Sequence, residues 1–413
     1  MDRIIERCAG LDVHKDSITA CVRVPGTHGQ RQQETQTFGT TTRSLLALRD
    51  WLVAYGVTVV GMESTGVYWK PVYYLLEDDF EPWLLNAHHL KAVPGRKTDV
   101  KDAEWIGQLV EHGLVRASFV PPREIRELRD LTRYRKALIQ ERTREVQRLD
   151  KVLQDAGIKL SSVASEVLGV SGRAMLAALV EGTRDPAVLA ELAKGQLRKK
   201  LPQLRQALEG RFREHHALII GELLAHIEYL EAAIERLSQE AERRLVPFAA
   251  EIELLDTIPG VDRRAAEVIL AEIGPDMTRF PTAHHLASWA GRCPGNDESA
   301  GKRGAGKMRK GSKWLAITLT ESANSAARSK RTYLASQYAR IKGRRGHKKA
   351  VGAVAHSILV IAYHVLHRRR PYAELGRDYL LLRDNAEAYT KRLVRQLERL
   401  GHKVSLEPPP MAA

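Results

Sequence analysis

Only three cysteines occur in 413 residues, too few for a disulfide framework and in keeping with a reducing compartment. Aromatic residues make up 6 %, which excludes a base-stacking platform spread over the surface. No uninterrupted apolar run approaches the roughly 20 residues a bilayer span requires. The best candidate, Ala350 to Leu366, is broken by His356, Tyr363 and His364 and reads as a buried helix. The segment Met1 to Arg7 mixes charges where a secretory leader needs an apolar stretch, so a cytoplasmic location without a membrane partner is expected. Acid is almost missing from one region: residues 301–350 hold fifteen Lys/Arg and one acid, Glu321.

That local +14 accounts for nearly all of the chain's +15. A concentrated charge makes a field that draws polyanions, and nucleic acid is the obvious one. Lys302, Arg303, Lys307, Arg309, Lys310, Arg344, Arg345, Lys348 and Lys349 are interleaved with Gly, which suits close backbone approach to phosphates. A solvated basic face with no partner is the plainer alternative. Charged residues at 28 % and hydrophobic ones at 44 % exclude a wholly disordered chain, and the length suits two or three domains.

Residues 7–120 read as α/β. Cys8–Val13 and Ile18–Val24 look like a hairpin, and Thr35–Thr41 like a third strand. Ser44–Tyr55 carries helical apolar spacing ended by Gly56, and Val57–Met62 is a buried strand. A helix from about Val67 to Leu76, a strand near Trp83–Leu85 and a helix from Asp99 to His112 follow, and Pro121-Pro122 marks a boundary. Beyond it, Ile125, Leu128, Leu131, Leu138, Leu149 and Val152 stripe one long helix. Ile220, Leu223, Ile227, Leu230, Ile234, Leu237 and Ala241 stripe a second one with heptad spacing. A smaller helical piece (about 161–205) joins them, which predicts an antiparallel coiled-coil arm. The third unit opens on Leu255–Val261, where Gly260 marks a helix-hairpin-helix-like turn able to offer backbone N–H groups to a phosphate; an ordinary helix turn reads the same way. The expected organisation is a catalytic domain at 5–120, a helical arm at 121–248, a mostly helical domain at 249–370 and a charged, Pro-rich tail at 371–413.

Four carboxylates stand out. Asp12 sits mid-strand, where Asp is depleted, and Glu63 ends an apolar run. Asp99 and Asp102, three apart, share a helix face. Acids in this order can converge at the strand ends of a ribonuclease-H-like sheet. So close together they repel, and divalent metal relieves that; all-oxygen ligands suit Mg²⁺, with Mn²⁺ able to substitute. Two such ions about 3.5–4 Å apart clamp the attacking and leaving oxygens of a phosphodiester. Singly, each acid also has a plainer reading as a strand end, an N-cap or a solvated charge. His88-His89 and His284-His285 lack zinc spacing and read as structural or nucleic-acid contacts. Cys8, Cys21 and Cys293 read as small buried residues, and the tryptophans as core.

Gly10-Leu11-Asp12-Val13-His14-Lys15, Met62-Glu63-Ser64-Thr65-Gly66 and Lys97-Thr98-Asp99-Val100-Lys101-Asp102-Ala103 resemble the three blocks of the DEDD-type insertion-sequence transposases, the IS-one-ten family. Ile258–Val261, Ala290–Gly295, Glu298–Arg303 and Lys310-Gly311 resemble that family's C-terminal block. The resemblance spans about 5–370 and implies a RuvC-like (ribonuclease-H-like) N-terminal domain with Asp12, Glu63, Asp99 and Asp102 as a metal-binding tetrad. It also implies a second catalytic centre at Ser299, in Glu298-Ser299-Ala300-Gly301-Lys302 where other members often have Ser-Ser-Gly-Gly-Lys. The implied partners are donor and target DNA, an element-encoded guide (bridge) RNA that pairs with both, and further copies of the chain in a dimer or tetramer. A RuvC-like junction nuclease using metal and water alone, and a non-enzymatic architectural protein with a vestigial acidic site, are the competing readings.

Overall fold

The structure, a computed structural model, describes residues 4–26, 30–63, 66–87, 90, 102–293, 298–299, 302–303, 308–309 and 311–406, with backbone alone at 298, 299, 302, 303, 381, 384–386 and 388. The chain divides into two compact units, Met1–Val120 and Pro121–Ala413.

The first unit is built on β1 (Cys8–Val13), β2 (Ser17–Pro25), β3 (Arg31–Gly39), β4 (Val59–Glu63) and β5 (Glu81–Leu85), in the spatial order β3-β2-β1-β4-β5. β1–β2 and β2–β3 pair antiparallel, whereas β1–β4 and β4–β5 pair parallel. This mixed sheet is compatible with a ribonuclease-H-like fold. β1 and β4 are apolar on both faces because helices cover both. Helices α1 (Thr42–Ala54) and α2 (Trp69–Leu76) bury Leu45, Leu48, Leu52, Val72 and Leu76 against Leu11, Ile18, Val60 and Met62. On the other face, α3 (Asp102–Glu111) packs Ile106, Leu109 and Val110 on Cys8, Val59 and Leu85. Thr41 caps α1 by accepting from the Ser44 amide. β3 starts four residues before the expected strand, because it pairs with β2 from Pro25↔Arg31 onward. Its polar, exposed residues hide that edge strand from a hydrophobic pattern.

The second unit centres on α4 (Arg123–Asp155) and α9 (Glu214–Leu245), of 33 and 32 residues. Glu127 meets Arg244, Leu138 packs on Leu230 and Ala233, and Arg142 binds Glu231 at 2.6 Å. One number falls as the other rises, so the two helices run antiparallel. Between them α5 (Leu160–Val163), α6 (Val170–Val180), α7 (Pro186–Glu191) and α8 (Leu201–Leu208) fold onto one end of the pair. Met175, Leu176, Leu179, Leu189 and Leu204 share a core there with Leu149, Leu153, Ile220 and Ile227.

The other end of α4 docks on α11 (Arg263–Ile273), which packs with α10 (Ala249–Asp256) and α13 (Lys313–Ala326); α12 (Ala283–Trp289), α14 (Tyr333–Arg345) and α15 (His347–Arg368) complete this helical body, and α16 (Tyr379–Arg399) follows. Among the described residues, α15 is the one helix long and apolar enough to cross a membrane. It is nonetheless a core helix: Ala350, Val354, Ala355, Ile358, Leu359 and Ala362 are 0 % exposed.

Charge also holds this dock. Glu272, fully buried, accepts from Arg133 Nε and Nη2 at 2.6 and 2.9 Å and from Ser312 Oγ at 2.8 Å. Arg135 Nη2 donates to buried Glu267 at 2.7 Å. Removing one partner strands the other charge in a low-dielectric interior. Glu272→Ala is expected to cost about 3–5 kcal/mol of unfolding free energy in a urea titration; an unchanged midpoint would refute this role for the pair.

Candidate functional site

β1 and β4 run side by side, with Leu11 registered on Met62. The next residue along each strand is Asp12 and Glu63. Parallel neighbours lie about 4.8 Å apart and point to the same face. That face is the one α3 covers: a Cβ on Gly10 would meet Ala103 O at 2.2 Å and Gly107 N at 2.3 Å, and one on Gly61 would meet Val110. Alternation then puts Asp12, two past Gly10, and Glu63, two past Gly61, on the α3 side.

The direction of α3 completes the site. Its last residue, Glu111, accepts at its carbonyl from the amides of Ile4 and Ile5 at 3.0 and 3.1 Å, just ahead of β1. Its carboxylate binds Arg23 at 2.6 Å, on β2 beside β1, and Arg31 at 3.0 Å, at the start of β3. α3 therefore runs against β1, and its first residue, Asp102, lies at the end where Asp12 and Glu63 emerge. Three of the four expected acids share the carboxyl edge of the sheet; Asp99 lies outside the described residues. The α3 N-terminus also offers its positive dipole end to these acids.

Two features here escaped the sequence reading. His14 Nε2 lies 3.1 Å from Asp12 Oδ2 and orients that carboxylate. Gly10 and Gly107 let α3 touch β1 backbone to backbone. Gly10→Ala is expected to destabilise the first unit by about 1–3 kcal/mol, by forcing that helix off the strand. Circular dichroism melting checks this, and an unshifted melt would mean α3 adjusts without strain.

The three acids supply oxygen ligands only, in the half-exposed end of a sheet. Such a donor set fits a hard divalent cation. A different group, Asp155, His215 and His216, brings ligand atoms within 4.8 Å of one another in the second unit. There, His216 Nδ1 accepts from the Arg213 amide at 3.1 Å, which puts the ring proton on Nε2 and aims it at Asp155 Oδ2, 3.1 Å away. Nε2 is thus a donor rather than a ligand, and the trio ties the start of α9 to the end of α4.

Ser299 lies on a two-stranded hairpin, β6 (Glu298–Ser299) and β7 (Lys302–Arg303), registered opposite Lys302. Arg309 is exposed and donates to Ser288 Oγ at 3.4 Å, and Lys307 and Lys310 lie outside the described residues. Arg344 and Arg345 close α14, Gly346 turns the chain at φ +80°, and Lys348 and Lys349 open α15. All four cations are exposed at one corner, where the α15 N-terminus adds its dipole. Gly260, at φ +85°, has its missing Cβ filled by α13: a side chain would strike Ser322 O at 2.4 Å and Ala326 N at 2.5 Å. Close helix packing is thus sufficient reason for glycine there.

His88 and His89 lie outside the described residues, while His285 joins the N-cap of α12, its Nδ1 at 2.8 Å from Thr282 Oγ1. Burial pushes the Cys8 thiol up to about 11 and raises that of Cys21, so both are inert packing residues. Cys293 corrects the expectation of burial: it is half-exposed, just past the turn that ends α12.

Residues 9–158 match the family model of the DEDD transposases of IS110 type, and residues 252–339 match that of the transposase IS116/IS110/IS902 family. The two matches together cover more than half of the chain, the first holding Asp12, Glu63 and Asp102 and the second Ser299. No curated protein matches it.

Proposed function

The chain belongs to the IS110 family of insertion-sequence transposases, and on that premise we propose that it breaks and rejoins DNA strands through an acidic, Mg²⁺-binding tetrad and a transient phosphoserine at Ser299. The observation that carries this reading is the convergence of Asp12, Glu63 and Asp102 at one sheet edge. Asp99 completes the tetrad by family resemblance. Bound there, Mg²⁺ supplies Lewis-acid stabilisation of charge on the phosphoryl oxygens.

The protein's own groups do the rest. Asp12, oriented by His14, and Glu63 and Asp102 would hold the ion through their carboxylate oxygens. The Ser299 hydroxyl attacks phosphorus, a serine–phosphate ester forms, and one phosphorus–deoxyribose oxygen bond breaks. The leaving sugar oxygen carries away the proton that serine gives up. The reverse attack by a sugar hydroxyl on the ester reseals a strand and frees the serine, so the bond energy is kept and no nucleotide cofactor is consumed. Lys302, registered across from Ser299, and Arg303 beside it bring positive charge to the developing oxyanion. The antiparallel pair α4–α9 acts as a coiled-coil arm between copies of the chain, in a dimer or tetramer. Base pairing by an element-encoded guide RNA selects donor and target, as the family resemblance implies, which leaves the protein to grip phosphates.

Incubation of the full chain with donor DNA, target DNA, guide transcript and Mg²⁺ tests this. Exchanged strands and a protein–DNA adduct that survives a denaturing gel are expected. Cleaved DNA with no adduct at any time point would replace the proposal with water-mediated nuclease chemistry.

A further inference from the structure

The last helix has no assigned role, and it lies beyond both family matches. From sequence it looks unremarkable: residues 371–413 carry seven Lys/Arg and six Asp/Glu. Folding separates those charges. α16 lines one side of a groove of about 1330 Å³, and its lining residues include Arg392, Arg395 and Arg399, at i, i+3 and i+7 on one helix face. The acids Glu387 and Glu398 of the same helix do not line it. Across the groove stand Arg328, Lys330 and Arg331, from the turn between α13 and α14. With Arg340 and Arg377 the lining holds eight cations against one acid, Asp378.

The helix is anchored at its start and open further along. Tyr379 meets Tyr333 edge-on at 5.7 Å and Leu380 is buried, while Arg392, Arg395 and Arg399 are exposed. Among the described residues, neither these three nor Arg328, Lys330 and Arg331 form an ion pair. Holding so many like charges together unpaired is unfavourable, and a polyanion offsets that cost.

We propose that this groove is a second DNA-binding site, which grips the phosphodiester backbone of duplex DNA without reading its sequence. Its size exceeds the roughly 300–1,000 Å³ usual for small metabolites, which favours a polymer. Its one aromatic lining residue, Tyr389, has Arg392 over one ring face at 5.1 Å, so the groove lacks the series of aromatic platforms on which unpaired bases stack. The hydroxyls of Ser329, Thr332 and Ser336 line it among the cations and suit phosphate oxygens. The inference rests on DNA being the substrate of this transposase. It adds that the last helix helps hold duplex DNA by its phosphates.

The test is fluorescence anisotropy of the full chain with a short DNA duplex of arbitrary sequence, over a salt series. The triple variant Arg392→Gln, Arg395→Gln, Arg399→Gln is expected to bind at least about tenfold more weakly at low salt. Its slope of log K against log salt should be shallower by about 2–3, near 0.9 per lost phosphate contact. The corresponding Lys triple should keep both values. Arg328→Gln with Arg331→Gln, on the opposite wall, should repeat the loss and guards against misfolding of α16. Unchanged affinity and slope in a Gln variant with an unshifted melt would overturn the proposal, as would a loss confined to an RNA hairpin of equal length. Weakened binding by these variants with no strand exchange by the wild type would sink the functional reading and leave the groove standing.

Discussion

Asp12→Asn is expected to slow strand exchange on the order of a thousandfold, about 4 kcal/mol of transition-state stabilisation, while leaving the fold intact or slightly firmer. The substitution keeps size and shape and removes one negative charge. In the folded protein that charge has one described polar partner, His14, and is 24 % exposed, so little packing depends on it. Its neighbours on the same face are Glu63 and Asp102, and fewer like charges there means less repulsion. Activity and stability should therefore move in opposite directions, which a merely structural residue would not do. A melting curve beside a strand-exchange time course reads both. Added Mg²⁺ should recover part of the loss, because a weakened site fills at higher metal concentration. The exposed neighbour Asp16, changed to Asn, should leave the rate unchanged. Full activity of Asp12→Asn at ordinary Mg²⁺ would remove the acidic edge from the mechanism.

Ser299→Ala is the second large effect: loss of the covalent adduct and at least about a 10⁴-fold fall in strand exchange, the scale on which deleting a nucleophile acts. Ser299 and Lys302 are registered through a backbone pairing that alanine can also make, so the hairpin should still form. DNA affinity should stay within about twofold, since one neutral hydroxyl contributes little beside the counterion release of the basic corner. The adduct is the deciding readout. Strand exchange at the normal rate in Ser299→Ala would dismiss the phosphoserine, whereas cleavage retained without rejoining would favour the metal-and-water nuclease.

Much of the first unit is legible along the chain because its signals are local. The buried strands at Cys8–Val13 and Val59–Glu63 announce themselves as short apolar runs, and the end of α1 as Gly56. β3 is legible only in its second half, expected from Thr35: the four residues before that are polar and mostly exposed, and only their pairing with β2 makes them strand. In the second unit the heptad stripe marks α9, and Ile220, Ile227, Leu230 and Ala241 are buried as the spacing requires. The small helices between α4 and α9 carry shorter, less periodic patterns, so they read only as a helical region.

The candidate site divides the same way. Sequence by itself determined which residue types are present and in what order: acids on a strand, after a strand and ahead of a helix, a serine in a Gly- and Lys-bearing stretch, and a cationic block at 301–350. These are properties of neighbours in the chain. Tertiary structure decided which of them meet. Asp12 and Glu63 share a face because two strands some fifty residues apart pair in one register, and Asp102 joins them because Gly10 and Gly107 let α3 lie reversed against β1. The groove along α16 makes the point most sharply. Its arginines are nearly cancelled by acids when residues 371–413 are counted together, and only a helical repeat of 3.6 residues turns them toward the cations of a distant turn.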